Sequence, residues 1–272
     1  MKLNHTTIIR YPSTRHIERS SIQENDSDEV VRFSELQGKH LVIESKLDGA
    51  NTGISFGSDG ELLLQCRGHY LLGKGDWAEF DEFKAWANTW VDQLFDLLGD
   101  RYVMYGEWMA GFHSIYYDML PHLFMEFDIY DKVKGVFLST IQRQALLKQS
   151  KVQICSVRVI TEGVFGSLEE ITSLVGRSTF ISDDAHEHLV KKMKEKRFPP
   201  EEVRKLGNLN AEPTMEGLYI KWEEDGVVRD RYKFVRRCFT QTIIDCGKHW
   251  AERPTIWNRL APGKSMYDWV ES

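Results

Sequence analysis

A chain of 272 residues with 42% hydrophobic side chains and eight tryptophans can bury a substantial core, which excludes intrinsic disorder. The formal net charge of −6 excludes a surface that coats polyanions indiscriminately, so a nucleic-acid ligand would have to be held by local basic patches. No long apolar run suits a membrane span or the core of a signal peptide, and Cys66, Cys155, Cys238 and Cys246 are too scattered for a zinc site or a disulfide framework; a reduced, cytoplasmic protein is expected.

Taken in order, the chain first offers a turn-rich segment, Tyr11 to Ile17, in which His16 is a candidate phosphate contact, although a packed loop histidine is the commoner case. Leu41, Val42 and Ile43 read as a buried strand ending at Lys46, Asp48-Gly49 as a hairpin turn, and Thr52 to Phe56 as the return strand. Ser58-Asp59-Gly60 closes a second hairpin onto Leu62 to Arg67. Asp76 with Glu79 resembles a capping box opening one helix, whose apolar residues from Phe80 to Leu98 recur at three- and four-residue steps until Gly99. Arg101 to Gly106 reads as a strand carrying Glu107 to its end. Leu123 to Tyr130 is the next strand, joined by the Lys134-Gly135 turn to Val136 to Leu138.

Residues 140–150 read as helix and Val152 to Ile160 as one strand. Ser167 to Glu170 caps a short helix ending at Gly176, and a charged helix spans Asp183 to Arg197. Phe198-Pro199-Pro200 is expected to stop that helix and Glu201 to Pro213 to form a mobile connection. Two basic patches stand out, 191–197 and 229–237. The first is weighed as a solvated helix face, and the second overlaps a strand with cationic ends.

The chemistry-bearing residues lie at strand ends. A nucleophilic lysine needs its pKa lowered by burial or by a neighbouring cation. Lys46 alone is weak evidence, since a Lys-x-Asp-Gly string arises by chance in roughly one chain in twenty of this length. Glu216 to Lys221 and Arg231 to Arg236 follow it in order. Alternation sends Gly217, Tyr219 and Lys221 to one face of their strand, and Arg231 and Lys233 to one face of theirs, so that Lys221 and Lys233 are expected to converge on one anion. Pro262-Gly263-Lys264-Ser265 imitates a Walker loop but lacks its first glycine and a preceding strand.

These strings resemble the covalent nucleotidyltransferase superfamily of ATP-dependent ligases and mRNA capping enzymes, and are most similar to the RNA ligase branch typified by the second phage type and the trypanosome editing ligases. Lys46-x-Asp48-Gly49-x-Asn51 matches the first motif, Tyr105-Gly106-Glu107 the third and Phe124 to Asp128 the motif that follows it; Glu216 to Lys221 matches the fourth and the stretch around Lys233 the fifth. The resemblance implies an α+β fold, an ATP-grasp-like ligase adenylylation domain of antiparallel sheets flanked by helices. This nucleotidyltransferase domain would occupy residues 1–237. Residues 238–272 would be a short helical C-terminal extension, too short for an OB-fold.

The activity implied is that of an ATP-dependent RNA ligase of RNA repair, working through lysyl-AMP and an adenylylated 5′ end. Lys46, Lys221 and Lys233 would be catalytic. ATP would be bound by Glu44, Lys46, Asp48, Asn51, Arg67, Glu107, Phe127, Glu216, Lys221 and Lys233, with Asp128 a weaker candidate. Glu107 and Glu216 would hold Mg²⁺ or Mn²⁺, and Arg231, Arg236 and His16 would contact RNA phosphates. The expected partners are RNA with 5′-phosphate and 3′-hydroxyl ends and a separate end-healing kinase or phosphatase. No membrane is expected, and the protein is expected to be a monomer. A minimal DNA ligase and a non-catalytic nucleotide- or RNA-binding module of the same fold are the alternatives.

Overall fold

The computed structural model describes residues 8–22, 29–73, 78–246 and 252–268. Its strands are β1 (Arg15–Ile17), β2 (Val30–Val31), β3 (Leu41–Lys46), β4 (Ala50–Phe56), β5 (Leu62–Cys66), β6 (His69–Tyr70), β7 (Tyr102–Trp108), β8 (Phe124–Asp131), β9 (Val136–Leu138), β10 (Cys155–Ser156), β11 (Val159–Gly163), β12 (Gly217–Glu224) and β13 (Val227–Val235). The helices are α1 (Asp81–Thr89), α2 (Val91–Leu98), α3 (Thr140–Leu147), α4 (Leu168–Thr172), α5 (Ala185–Glu195), α6 (Pro200–Leu209) and α7 (Arg237–Cys246).

The described strands form one mixed, largely antiparallel sheet in the order β11-β3-β12-β13-β9-β8-β7-β4-β5-β6, with β1 added in parallel to β13. Strand period decides what each face does. Along β3, Leu41 and Ile43 join Leu218 and Ile220 of β12 and Tyr232 of β13 in one apolar cluster, while Glu44 and Lys46 point to the opposite face. A larger core forms where α1 and α2 cover β4, β7 and β8, with Phe83, Trp86 and Phe124 stacked within it. Among the described residues, no helix is long and apolar enough to cross a membrane.

Several expectations are corrected. Asp48-Gly49 does not close a hairpin. β3 pairs with β11 and β12, whereas β4 pairs with β5 and β7, so the chain crosses between two parts of the sheet. Gly49 is required by a wall and not by a turn, because a Cβ there would sit 2.6 Å from the Trp108 carbonyl oxygen. The long helix is broken at Trp90 (φ −108°), just after Asn88 and Thr89 donate side-chain hydrogen bonds to carbonyls of their own helix. Asp76 lies outside the described residues.

The strand expected over Val152 to Ile160 is two. β10 runs parallel to β8, and β11 runs antiparallel to β3. Ser167 caps α4 by accepting from the Glu170 N–H, but the helix ends at Thr172, short of Gly176. The mobile connection is a helix: Pro200 opens α6 at its first turn, where a missing N–H costs nothing, and Leu206 and Leu209 are buried.

Gly106 pairs with Glu126 and lies under the ring of the diagonal Phe124, so that a Cβ there would lie 2.5 Å from the ring. Gly106→Ala is expected to destabilise the fold by about 1–3 kcal/mol through overpacking, read as a lower urea midpoint at unchanged m.

Candidate active site

On the face shared by Glu44 and Lys46, a cavity of about 510 Å³ opens, within the range of ligand pockets. Glu44, Lys46, Asn51, Arg67, Glu107, Phe127 and Lys233, all named from the sequence, line it. The lining also includes Arg10 to Thr14 and Tyr219, which sequence reasoning did not assign. Parallel pairing of β1 with β13 carries residues 10–14 past the cavity, placing Arg15 opposite Tyr232 and His16 opposite Lys233.

The register sets Lys46 opposite Gly217, at the start of β12, so the adjoining Glu216 meets the lysine. Its carboxylate lies 2.7–2.8 Å from the Lys46 Nζ. The Lys46 side chain is 23% exposed and that of Glu216 only 5%. Burial disfavours the ammonium, but the carboxylates of Glu216, Glu107 and Asp48 outweigh it and hold Lys46 above the ordinary lysine range. This corrects the expectation of a lysine pKa lowered by adjacent cations. Burial pushes Glu216 up to about 7, with Asp48 and Glu107 adding to the effect and Lys46 opposing it. Burial also raises Glu107, against the pull of Lys46 and His113. The cage therefore holds more carboxylate than one ammonium can neutralise.

Asp48 is anchored as well as charged: its Oδ2 accepts from the backbone N–H groups of Ser114 (2.7 Å) and Ile115 (2.8 Å). Asn51 lines the cavity, and its buried Oδ1 has no hydrogen-bond partner among the described residues. Arg67 is exposed with φ 49°, a left-handed backbone unusual for a side chain of this size. Phe127 and Tyr219 form aromatic wall, and Tyr11 packs edge-on against Phe127 with ring centroids 5.1 Å apart.

Lys221 does not converge with Lys233 on the cavity. It is 1% exposed, donates to the Phe127 carbonyl, and lies 2.9 Å from Glu44 Oε2 and 3.0 Å from Asp128 Oδ1. The register explains this, since Lys221 faces Val42, four positions along β3 from Lys46. Arg231 is likewise buried and is no surface contact: its guanidinium lies 3.9 Å from the Phe137 ring centroid and 3.7 Å from Asp128. Arg143 of α3, unmarked in the sequence, completes this layer with Nη2 donating to Glu44 at 2.6 Å and Nε 3.5 Å from Glu126.

His16 is fully buried, with Nδ1 2.6 Å from Ser20 Oγ, and so cannot meet RNA from solution. Arg236 donates to the Met215 carbonyl and to Cys238 Sγ, bracing the segment that carries Glu216. Among the described residues, no group of three His, Cys, Asp or Glu side chains is arranged to hold a metal by itself.

The RNA ligase family profile matches residues 39–235, well over half of the chain. Solved structures of Naegleria gruberi RNA ligase variants share the fold. One with ATP and Mn superposes at a TM-score of 0.55 with 19% identity over 87% of this chain and 58% of the ligase chain. A second, with AMP and Mn, gives 0.53 and 20% over 87% and 58%. A third, with ATP and Mn, gives 0.52 and 20% over 88% and 63%. The present chain thus spans about six-tenths of the length of those ligase chains. No curated protein sequence matches it.

Two outcomes are expected. Arg143→Leu leaves Glu126 buried without its nearest cation and Glu44 with Lys221 alone, and should cost about 3–5 kcal/mol in denaturant unfolding. Glu216→Gln removes the strongest charge that holds Lys46 protonated, so burial acts with less opposition and the lysine pKa falls. Acylation of Lys46 by an amine-selective reagent, followed by peptide mass spectrometry, should then begin at lower pH than in the wild type.

Proposed function

Because the chain belongs to the RNA ligase family, we propose that it is an ATP-dependent RNA ligase that uses Lys46 as its nucleophile. The observation that carries this reading is the placement of Lys46: a half-buried amine in the wall of a 510 Å³ cavity, held by carboxylates beside an aromatic wall and an unsatisfied acceptor. In the first step, deprotonated Nζ attacks the α-phosphorus of ATP, forming a P–N bond as the bond to pyrophosphate breaks. The AMP then passes to the 5′-phosphate of an RNA strand, and a 3′-hydroxyl displaces it to seal the backbone.

Phosphoryl transfer needs positioning and charge neutralisation more than acid or base groups. Lys233 and Arg67 are cavity cations suited to phosphate oxygens, Phe127 and Tyr219 offer faces for a base, and Asn51 adds a polar group to the lining. Lys221 supports the site by holding Glu44.

Glu107 and Glu216 would hold the divalent ion. Two carboxylates, with phosphates and water completing the shell, suit Mg²⁺ or Mn²⁺, and the cage's surplus negative charge favours a cation. When bound, the ion supplies positive charge to the phosphate oxygens and to the carboxylates that otherwise hold Lys46 in its charged form.

Incubation with α-labelled ATP and Mg²⁺ followed by denaturing electrophoresis is expected to label the wild type and not Lys46→Ala. Sealing of all-RNA, all-DNA and mixed nicked duplexes should then favour strands with an RNA 3′-hydroxyl. Absence of label on nucleotide-free protein across pH and metals would replace the ligase reading with a nucleotide-binding module.

A further inference from the structure

The loop between β7 and β8, residues 109–123, has almost no regular structure, yet nearly all of its residues are buried. Its backbone must be satisfied by side chains and other loops. It reaches the nucleophile from one side. Besides the Ser114 and Ile115 N–H groups on Asp48 Oδ2, the Asp48 N–H donates to the Tyr117 hydroxyl at 3.0 Å, and Tyr117 is fully buried.

The C-terminal segment grips the same loop from behind. Asn258, 7% exposed, accepts the Tyr117 N–H on Oδ1 at 3.0 Å and donates from Nδ2 to the carbonyls of Met109 (2.8 Å) and Gly111 (2.9 Å). Backbone bonds flank it, from Asn258 N–H to Ala110 and from Arg259 N–H to Tyr117, both 2.9 Å. One asparagine thus spans both ends of a bend that carries Tyr117.

We propose that Asn258 is a positioning residue for Lys46, acting through Tyr117 and Asp48. The inference rests on the reading of Lys46 as the nucleophile. Neither Asn258 nor the two residues it acts through lines the cavity, so their influence falls on where the amine sits and not on the affinity for nucleotide. Lys46 ends β3, and two residues later Asp48 is tied to the loop through its N–H and its carboxylate. That tie limits how far the strand end can move, and near-attack geometry tolerates little displacement.

The test compares the wild-type chain with Asn258→Ala, Tyr117→Phe and the double variant. Two readouts are used: single-turnover labelling by α-labelled ATP at saturation, and amide exchange of the peptide spanning Leu47–Asn51, with β12 as internal reference. For Asn258→Ala, labelling should slow on the order of 10- to 100-fold while the ATP dissociation constant stays within about twofold. The Asp48 amide should exchange faster while β12 keeps its protection. The double variant should be no slower than the slower single one, since both act along one path.

Unchanged exchange at Asp48 in folded Asn258→Ala would overturn the linkage whatever the labelling rate. Faster exchange with wild-type labelling would overturn the positioning role. A wild type that never becomes labelled would instead overturn the ligase reading, and the exchange data would still decide whether Asn258 restrains Asp48.

Discussion

The ion pair between Lys46 and Glu216 is the contact on which the rest of the site depends. It joins the end of β3 to the residue that begins β12, and it forms only because those strands pair in the register that sets Lys46 against Gly217. A one-residue slip would turn Lys46 toward the apolar cluster and Leu41 and Ile43 away from it, so the hydrophobic pattern of the strand enforces the placement of the amine. The stability of one face and the chemistry of the other are consequences of the same alternation.

Beneath the cavity, the chemistry gives way to a layer of buried charge. Glu44, Arg143, Glu126, Lys221, Asp128 and Arg231 neutralise one another within it, and the Tyr11 hydroxyl donates to Asp128 at its edge. Such a layer is a poor source of net stability, because desolvation offsets most of the attraction. Its value lies in fixing orientation: Glu44 is held by Arg143 and Lys221 together and can present its carboxylate to the cavity in one way. Opposite charges are thus divided between two tasks, a closed network below and an unbalanced cage around Lys46 above.

Much of this was legible in the sequence, for definite reasons. Strand alternation located β3, β7, β8, β12 and β13; Lys46 and Glu107 stand at or next to strand ends, and Phe127 lies within β8, where those patterns place them. The failures are equally physical. Asp48-Gly49 carries the local signal of a hairpin, but strand pairing is decided by the sheet as a whole, and β12 takes the place that β4 would fill. Pro199-Pro200 reads as a stop, although the second proline is also a good first residue of a helix. Lys221 and Arg231 show the limit of reading charge alone, since a cation on the right face can serve the protein's own carboxylates as well as a ligand's phosphates. Arg143 and Asn258 gave no signal because each is a single polar residue whose partners are distant in sequence.

The long span of the Lys46–Glu216 contact bears on synthesis of the chain by the ribosome. The two residues lie 170 positions apart, so at roughly 5–20 residues per second the lysine would wait on the order of 10–30 seconds for its carboxylate. During that interval β3 also lacks β12 as a neighbour, and its apolar face has no partner from that strand. Asn258 emerges later still. A nascent chain can therefore display the lysine motif long before the strand that cages it exists, and the reactive centre is assembled only once Glu216 and β12 have emerged.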